Sequence, residues 1–124
     1  MTKLRIMLVT APEMEAPQLA RILLTERLIA CANLLPGIQS LFWWEGKLDS
    51  GSETLLILKC PAQNIRKIIQ RVKELHSYRT PEIIVLDVTQ AHQPYVNWVL
   101  REARSTPKVR KPPKTGKPIR RLRK

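Results

Sequence analysis

The sequence predicts an α+β domain in which helices cover one face of an antiparallel sheet. Strand-like and helix-like segments follow one another in the order β-α-β-β-α-β-α. Two β-α-β halves joined by a hairpin give the split arrangement known as ferredoxin-like, with the first and third strands in the centre of the sheet. The short last helix completes a domain over residues 1–104, and residues 105–124 follow as a separate tail.

The first β-α-β half follows from alternation and helical spacing. Residues 3–10 alternate between two sides, which predicts a strand. Prolines and glutamates at positions 12–17 suit a helix start, and apolar residues then recur at helical spacing as far as Leu28. Residues 31–44 look extended, and Pro36-Gly37 interrupts them, so we expect a bulge or bend in an edge strand.

The second half repeats this order after a turn. Residues 45–51 are rich in turn formers, although Gly46 and Lys47 are also compatible with hairpin arms. The remaining segments are a strand over 53–60, a helix over 65–75, a strand over 82–89 and a short helix opened by Pro94.

Both faces of the predicted sheet are apolar. Apolar residues fill both alternating positions in Leu55-Leu56-Ile57-Leu58 and in Ile83-Ile84-Val85-Leu86. Helices on one side leave the other face bare, and an apolar patch on the order of several hundred Å² marks an interaction surface. Because closed homo-oligomers are the common outcome, another copy of the chain is the most economical cover. The sequence therefore predicts self-association.

The net charge of +12 is unevenly distributed. Residues 105–124 contain nine Lys or Arg, four prolines and no acidic residue, which predicts a basic, disordered tail. Residues 1–104 contain 13 basic and 10 acidic residues, a net charge of +3. The domain surface is therefore expected to be nearly neutral.

The expected cellular compartment follows from the types of segment that the sequence lacks. No apolar run reaches the roughly eighteen residues of a membrane span, and the first residues carry no signal-type apolar segment. The two cysteines are too few for a disulfide scaffold. We therefore expect a cytoplasmic protein with reduced thiols and no membrane partner.

Catalytic motifs are missing from the sequence. It has no glycine-rich phosphate loop, no GxSxG and no HExxH. We therefore expect a protein that is not an enzyme, although an enzyme with an active site between subunits remains an alternative.

His76 and the cysteines are the candidates for metal binding. His76 ends the second predicted helix, and imidazole suits copper, zinc and nickel. A histidine at that position also interacts favourably with the helix dipole. Cys31 and Cys60 lie in strands, where a buried thiol packs as a small hydrophobe. Both interpretations stay open for each residue.

A second group of residues could line a ligand cleft. Phe42-Trp43-Trp44 ends an edge strand, where it would pack on a neighbouring subunit or form a cleft wall. Lys59 interrupts an apolar strand, so its ammonium needs a partner or solvent, and Glu82 is one such partner. The cleft candidates are Cys31, Trp44, Lys59, Tyr78 and Glu82.

Several longer segments occur in a specific order: Thr10-Ala11-Pro12, Leu28-Ile29-Ala30-Cys31-Ala32-Asn33-Leu34-Leu35-Pro36-Gly37, Trp44-Glu45-Gly46-Lys47, Leu58-Lys59, His76-Ser77-Tyr78-Arg79-Thr80-Pro81-Glu82 and Tyr95-Val96-Asn97-Trp98. Over about residues 4–103 the chain resembles the CutA family of divalent-cation tolerance proteins. The resemblance implies a ferredoxin-like homotrimer whose hairpins reach neighbouring subunits, a role in the response to metal ions, and an architecture similar to that of PII signalling trimers.

The resemblance also limits the metal site. Copper-binding members can carry a cysteine where this sequence has Val9, and a histidine where it has Leu75, so only His76 of that set is present. We expect at most weak binding of Cu(II) or another divalent metal, and no required cofactor.

The alternative is a PII-like module that binds a small molecule, or a polyanion through its basic tail. Because the tail has no aromatic residue for base stacking, nucleic-acid contact is expected to be no more than non-specific.

Overall fold

The four strands form one antiparallel sheet in the order β2-β3-β1-β4, in a computed structural model that describes residues 1–104. The predicted α+β fold and its two central strands are confirmed. The predicted disorder of residues 105–124 lies outside the described residues. The elements are β1 (Leu4–Ala11), α1 (Ala16–Thr25), β2 (Cys31–Trp44), β3 (Lys47–Pro61), α2 (Ile65–Leu75), β4 (Ile83–Asp87) and α3 (Gln93–Glu102).

The β2–β3 hairpin is longer than the sequence predicts. Its turn consists of Glu45 and Gly46, which both have positive φ angles, of 50° and 82°. A two-residue turn with positive φ angles at both positions matches the right-handed twist of the two strands that it joins. Asp49 to Gly51 were predicted as turn, and that prediction is wrong because they pair with β2, for example Asp49 with Phe42. Lys47, which was left open as turn or hairpin arm, belongs to the arm and pairs with Trp44. The ladder of backbone hydrogen bonds outweighs the turn preference of these residues.

The predicted bulge at Pro36-Gly37 is confirmed. The pairing register of β2 and β3 shifts between Leu35 and Ile38, and Gly37 has a φ of 73°. The Glu13 carboxylate braces this bend, since it accepts hydrogen bonds from the Gly37 backbone N–H at 2.9 Å and from the Ser52 hydroxyl at 2.8 Å. The bend is therefore tied to the loop between β1 and α1.

The main core lies between the sheet and helices α1 and α2. Alternate residues of β1 and β3 point into it, including Met7, Val9, Leu56 and Leu58, which are all fully buried. The helices contribute Leu19, Leu23, Ile68 and Val72 to the same cluster. This layer uses one face of the sheet only.

Helix α3 covers one end of the other face. Val96 and Val99 pack there against Leu4 in a second, smaller buried cluster. The preceding strand β4 is shorter than the predicted 82–89, so Glu82 lies just before it and not within it. Beyond the end covered by α3, the second face of the sheet lies bare within the single chain.

Candidate functional site

The open face is the side of the sheet opposite α1 and α2. Residues paired directly across strands point to the same face, and Leu8 is paired with both Ile57 and Ile84. Three of its large apolar side chains, Leu35, Ile84 and Leu86, are 53 %, 44 % and 42 % exposed. The apolar members of this face are Ile6, Leu8, Leu35, Leu55, Ile57, Ile84 and Leu86.

Polar side chains lie together on the open face where it meets α3. Cys31 pairs with Lys59 across the β2–β3 ladder, and Asn33 is two residues further along β2 on the same side. The Lys59 ammonium donates hydrogen bonds to the Asn33 side-chain oxygen and to the Cys31 sulfur, the latter at 3.9 Å. Burial and the neighbouring Cys31 raise the pKa of the Tyr95 phenol, which places α3 beside the thiol. We call Cys31, Asn33, Lys59 and Tyr95 the thiol–lysine cluster.

The predicted pair of Lys59 with Glu82 is not formed. Lys59 is level with Leu86, because both pair with Ile6 of β1. Glu82 is four residues before Leu86, roughly 13 Å away along the strand direction. Lys59 is satisfied by Asn33 and Cys31 instead.

His76 is a buried histidine at the end of α2, only 8 % exposed. One ring nitrogen, Nε2, lies 2.8 Å from the Thr10 carbonyl oxygen, and the other, Nδ1, accepts the backbone N–H of Tyr78 at 3.1 Å. With Nε2 as the donor, this network assigns a neutral imidazole. A metal at either nitrogen has to displace one of these hydrogen bonds, so the arrangement disfavours the predicted role of His76 as a ligand.

Tyr78 connects His76 to a buried carboxylate through hydrogen bonds. The sequence analysis did not identify this carboxylate as a candidate. The Tyr78 hydroxyl donates to Glu53 at 2.8 Å, and the Ser40 hydroxyl donates to the other carboxylate oxygen at 2.6 Å. Glu53 is 9 % exposed, and two donors satisfy it without a cation. The signal for this carboxylate in the sequence was a glutamate at the start of an apolar strand. A carboxylate buried there needs hydrogen-bond donors from elsewhere in the fold.

Within one chain, the five predicted cleft residues lie in separate places. Cys31 and Lys59 are together, whereas Tyr78 binds Glu53 and Glu82 lies at the start of β4. Trp44 is at the far end of the hairpin, 60 % exposed and roughly 40 Å along β2 from Cys31. A single subunit therefore brings only two of the five into contact.

A comparison with known protein families matches residues 5–102 to the model described as CutA1 divalent ion tolerance protein. The chain belongs to the CutA1 family. The match runs from the second residue of β1 to the last residue of α3, so the family assignment covers nearly the whole domain and leaves out residues 1–4 and 103–124.

Related CutA proteins are similar to this CutA1 chain in sequence and in structure. It is 43 % identical over 95 residues to the divalent-cation tolerance protein CutA of Citrobacter koseri, covering 76 % of this chain and 83 % of the relative. The periplasmic CutA structure from Archaeoglobus fulgidus is 33 % identical with a TM-score of 0.78, over 81 % and 98 % of the two chains. A PII-like CutA structure from Nostoc, in apo form, is 33 % identical with a TM-score of 0.79, over 82 % and 99 %.

Two features of residues 1–104 of this CutA1 chain concern metal ions and membranes. Within that range no group of three or more His, Cys, Asp or Glu side chains is arranged to hold a metal ion. None of the helices found there combines the length and the apolar character that crossing a membrane requires.

The Tyr78–Glu53 contact predicts a stability change at high pH. Burial, followed by the hydrogen bond and negative charge of Glu53, raises the pKa of Tyr78 from 10.0 to about 12. The folded state therefore holds this proton more tightly than the unfolded chain, so the contribution of Tyr78 to stability is fully present below about pH 10 and is lost between pH 10 and 12.

Urea unfolding at pH 9, 10 and 11 of the natural chain and Tyr78→Phe tests this difference. Burial also raises the pKa of Cys60 to about 12, but that contribution is common to both proteins and cancels in the comparison. We expect the natural chain to lose more stability than Tyr78→Phe between pH 10 and 11. Parallel pH profiles would show that the phenol proton is not held by Glu53.

Proposed function

We propose that this CutA1 protein is a homotrimer that acts as a binding protein in the response to divalent cations, without catalysis. The observation that carries the proposal is the open face, which leaves large apolar side chains bare beside a cluster of polar groups. Burying apolar surface contributes about 25 cal/mol per Å², so covering this face with other copies is strongly favourable. The resemblance to the CutA family implies a homotrimer, and closed symmetric assemblies are common among homo-oligomers. Both support another copy of the chain as the partner.

The hairpin beyond the bulge provides the second apolar surface. Leu41, Trp43, Trp44 and Leu48 are between 60 % and 78 % exposed in the single chain. Large aromatic side chains of this kind are typical anchors of protein interfaces. We propose that the hairpin lies on a neighbouring subunit, which would bring Trp44 to the groups that its own chain leaves roughly 40 Å away.

The ligand site belongs, in this proposal, to the cleft between subunits. Cys31 and Lys59 would come from the thiol–lysine cluster of one copy, and Trp44, Tyr78 and Glu82 from the edges that meet it. An ammonium beside a thiol and an amide favours an anionic or soft ligand. The PII-like description of the Nostoc protein supports the alternative that this ligand is a small molecule rather than a metal ion.

Metal binding is proposed to be weak and to use Cys31 rather than His76. Cys31 is partly exposed, although its sulfur accepts a hydrogen bond from Lys59, whereas His76 is buried with both ring nitrogens engaged. Calorimetric titration with Zn(II), which does not oxidise thiols, tests the choice. We expect Cys31→Ser to abolish the weak heat signal and His76→Gln to keep it.

A heat signal that Cys31→Ser keeps and His76→Gln abolishes would assign the metal site to His76. Because His76→Gln also alters a buried hydrogen-bond network, its thermal unfolding is compared with that of the natural chain before titration. A signal lost only in the histidine variant, with the fold intact, would contradict the assignment to Cys31.

A cytoplasmic location remains a proposal for this protein. Its support is the pair of free cysteines, since reduced thiols are typical of that compartment. The Archaeoglobus fulgidus relative is described as periplasmic, so the family does not impose one location.

A further inference from the structure

The side chains of Cys31 and Lys59 are in contact on the open face of the sheet. The two residues pair directly across the β2–β3 ladder, so their side chains leave the sheet on the same side. The Lys59 Nζ atom lies 3.9 Å from the Cys31 Sγ atom and donates a hydrogen bond to it. The fold therefore places a nitrogen that can act as a nucleophile beside a sulfur that can be oxidised.

Asn33 holds this pair in place. Its side-chain oxygen accepts one hydrogen bond from the Lys59 Nζ atom and another from the Cys31 thiol, the latter at 3.8 Å. Each of the three side chains thus contacts the other two. The lysine side chain is flexible and carries three rotatable donors, so these contacts direct its nitrogen to the sulfur.

Cys60 shows the opposite environment for a thiol. It is fully buried in the core between the sheet and the helices, and burial raises the pKa of its thiol to about 12. Such a thiol stays protonated near neutral pH and reacts poorly, because the thiolate is the nucleophile. Cys31 is instead partly exposed, and the Lys59 ammonium beside it stabilises negative charge that develops on its sulfur.

The two cysteines of one chain are not placed to form a disulfide. Cys31 lies on the open face, whereas Cys60 belongs to the core on the helix side of β3. Successive residues of a strand point to opposite faces, so the sheet itself separates Cys60 from the pair formed by Cys31 and Lys59. An oxidised Cys31 therefore has Lys59 as the nucleophile already in contact with it.

We propose that hydrogen peroxide links Cys31 to Lys59 through a reversible sulfur–nitrogen bond, a sulfenamide. In the first step the Cys31 sulfur attacks one peroxide oxygen, the O–O bond breaks, and a sulfenic acid and one water form. In the second step the Lys59 Nζ atom attacks that sulfur, the S–N bond forms, the S–O bond breaks, and the hydroxyl leaves as water with a proton from the nitrogen.

The overall reaction balances with peroxide as the only oxidant. A thiol, an ammonium group and hydrogen peroxide give a sulfenamide, two waters and one proton, with the sulfur oxidised by two electrons and the peroxide reduced by two. Thiols reverse it: one attacks the sulfur and releases the Lys59 amine, and a second resolves the mixed disulfide on Cys31. The crosslink thus prevents the irreversible step to a sulfinic acid.

The crosslink would also remove two groups from the proposed ligand cleft. Cys31 and Lys59 are the members of that cleft which lie together within one chain. This consequence rests on the proposed function, whereas the crosslink depends only on the contact between the two side chains. Oxidation would therefore switch off ligand binding at this place, and reduction would restore it.

Intact-mass spectrometry of the full natural chain, treated with hydrogen peroxide near neutral pH, tests the proposal. We expect the mass to fall by about 2 Da and to return with dithiothreitol, whereas a free sulfenic acid adds about 16 Da and a sulfinic acid about 32 Da. Digestion with trypsin without reductant should release residues 28–47 joined to residues 48–66. The bond after Lys59 should stay uncut, because trypsin requires a free lysine side chain.

Lys59→Arg separates the nucleophile from the positive charge. The guanidinium keeps a cation near Cys31 but stays protonated, so it does not attack the sulfenic acid. We expect this variant to lose the crosslink and to accumulate the sulfinic acid, about 32 Da heavier. Cys31→Ser is the control for the thiol: it keeps only the buried Cys60 and should keep its mass under the same treatment. Thermal unfolding before oxidation checks the fold of both variants.

A natural chain that is oxidised to the sulfinic acid as readily as Lys59→Arg would overturn the proposal. So would a crosslinked product about 14 Da heavier than the natural chain, because that mass means an oxygen retained between sulfur and nitrogen. A loss of about 2 Da that peptide mapping assigns to a bond between Cys31 and Cys60 would contradict the placement of the two thiols on opposite faces.

Discussion

Ile84→Glu is expected to convert the proposed homotrimer into monomers. Ile84 is 44 % exposed in the single chain and pairs with Leu8 on the open face. In the assembly its side chain would be covered by another copy, so the substitution would bury a carboxylate without a partner. Such a group costs several kcal/mol, and the symmetry of the assembly repeats the cost in every copy. Light scattering after size-exclusion chromatography measures the mass.

Leu24→Glu is the matched control for this experiment. Leu24 has a similar exposure, 36 %, but lies on α1 on the opposite side of the sheet. The same change of charge there should leave the mass of the assembly unchanged. If both variants keep the mass of the natural protein, the open face does not form the interface.

Leu58→Ala is expected to lower the free energy of unfolding by about 2 to 5 kcal/mol while leaving the assembly state unchanged. Leu58 is fully buried on the helix side of β3, where it pairs with Met7 and Ala32. Truncation removes buried apolar surface and leaves a cavity in a close-packed core. Chemical denaturation at a fixed protein concentration measures the loss, because oligomer stability depends on concentration.

The volume-conserving change Leu58→Met serves as its control. It keeps the side chain apolar and of similar size, so the expected loss is below about 1.5 kcal/mol. Equal losses for alanine and methionine would mean that the site does not pack as the structure shows. Together with Ile84→Glu, this pair of variants separates the role of the core face from that of the open face.

The order of the elements could be predicted because it depends on local periodicity. Alternation in residues 3–10 and the helical spacing after Pro12 each report which side of an element is apolar. Pro36-Gly37 marked the bulge for a local reason as well, since Gly37 adopts a positive φ. Features that depend on a few adjacent residues were therefore within reach of the sequence.

The pairing between strands of the sheet could not be predicted from the sequence. Lys59 and Glu82 looked like partners because Lys59 interrupts an apolar strand and Glu82 is a carboxylate at the start of another predicted strand. The register instead sets them four residues apart along the sheet. The hairpin turn was predicted too long for a related reason, because Asp49 and Ser50 prefer turns alone and become strand only when β2 pairs with them. Both cases involve contacts that the strands make with one another rather than within themselves.

The candidate site was predicted in part. Alternation places Cys31 and Asn33 on one side of β2, and the register brings Lys59 to them. Tyr95 reaches the same cluster from α3, and no spacing in the sequence relates it to β2. For His76 the sequence left a metal ligand and a helix-end histidine open, and the two hydrogen bonds of its ring favour the second.

The mass of the natural chain in dilute solution is the most direct test of the central claim that other copies cover the open face. Light scattering at low micromolar concentration is expected to give three times the chain mass of 14.3 kDa. A particle with the mass of one chain would contradict the account, because the apolar residues of the open face would then be exposed to water in the functional protein.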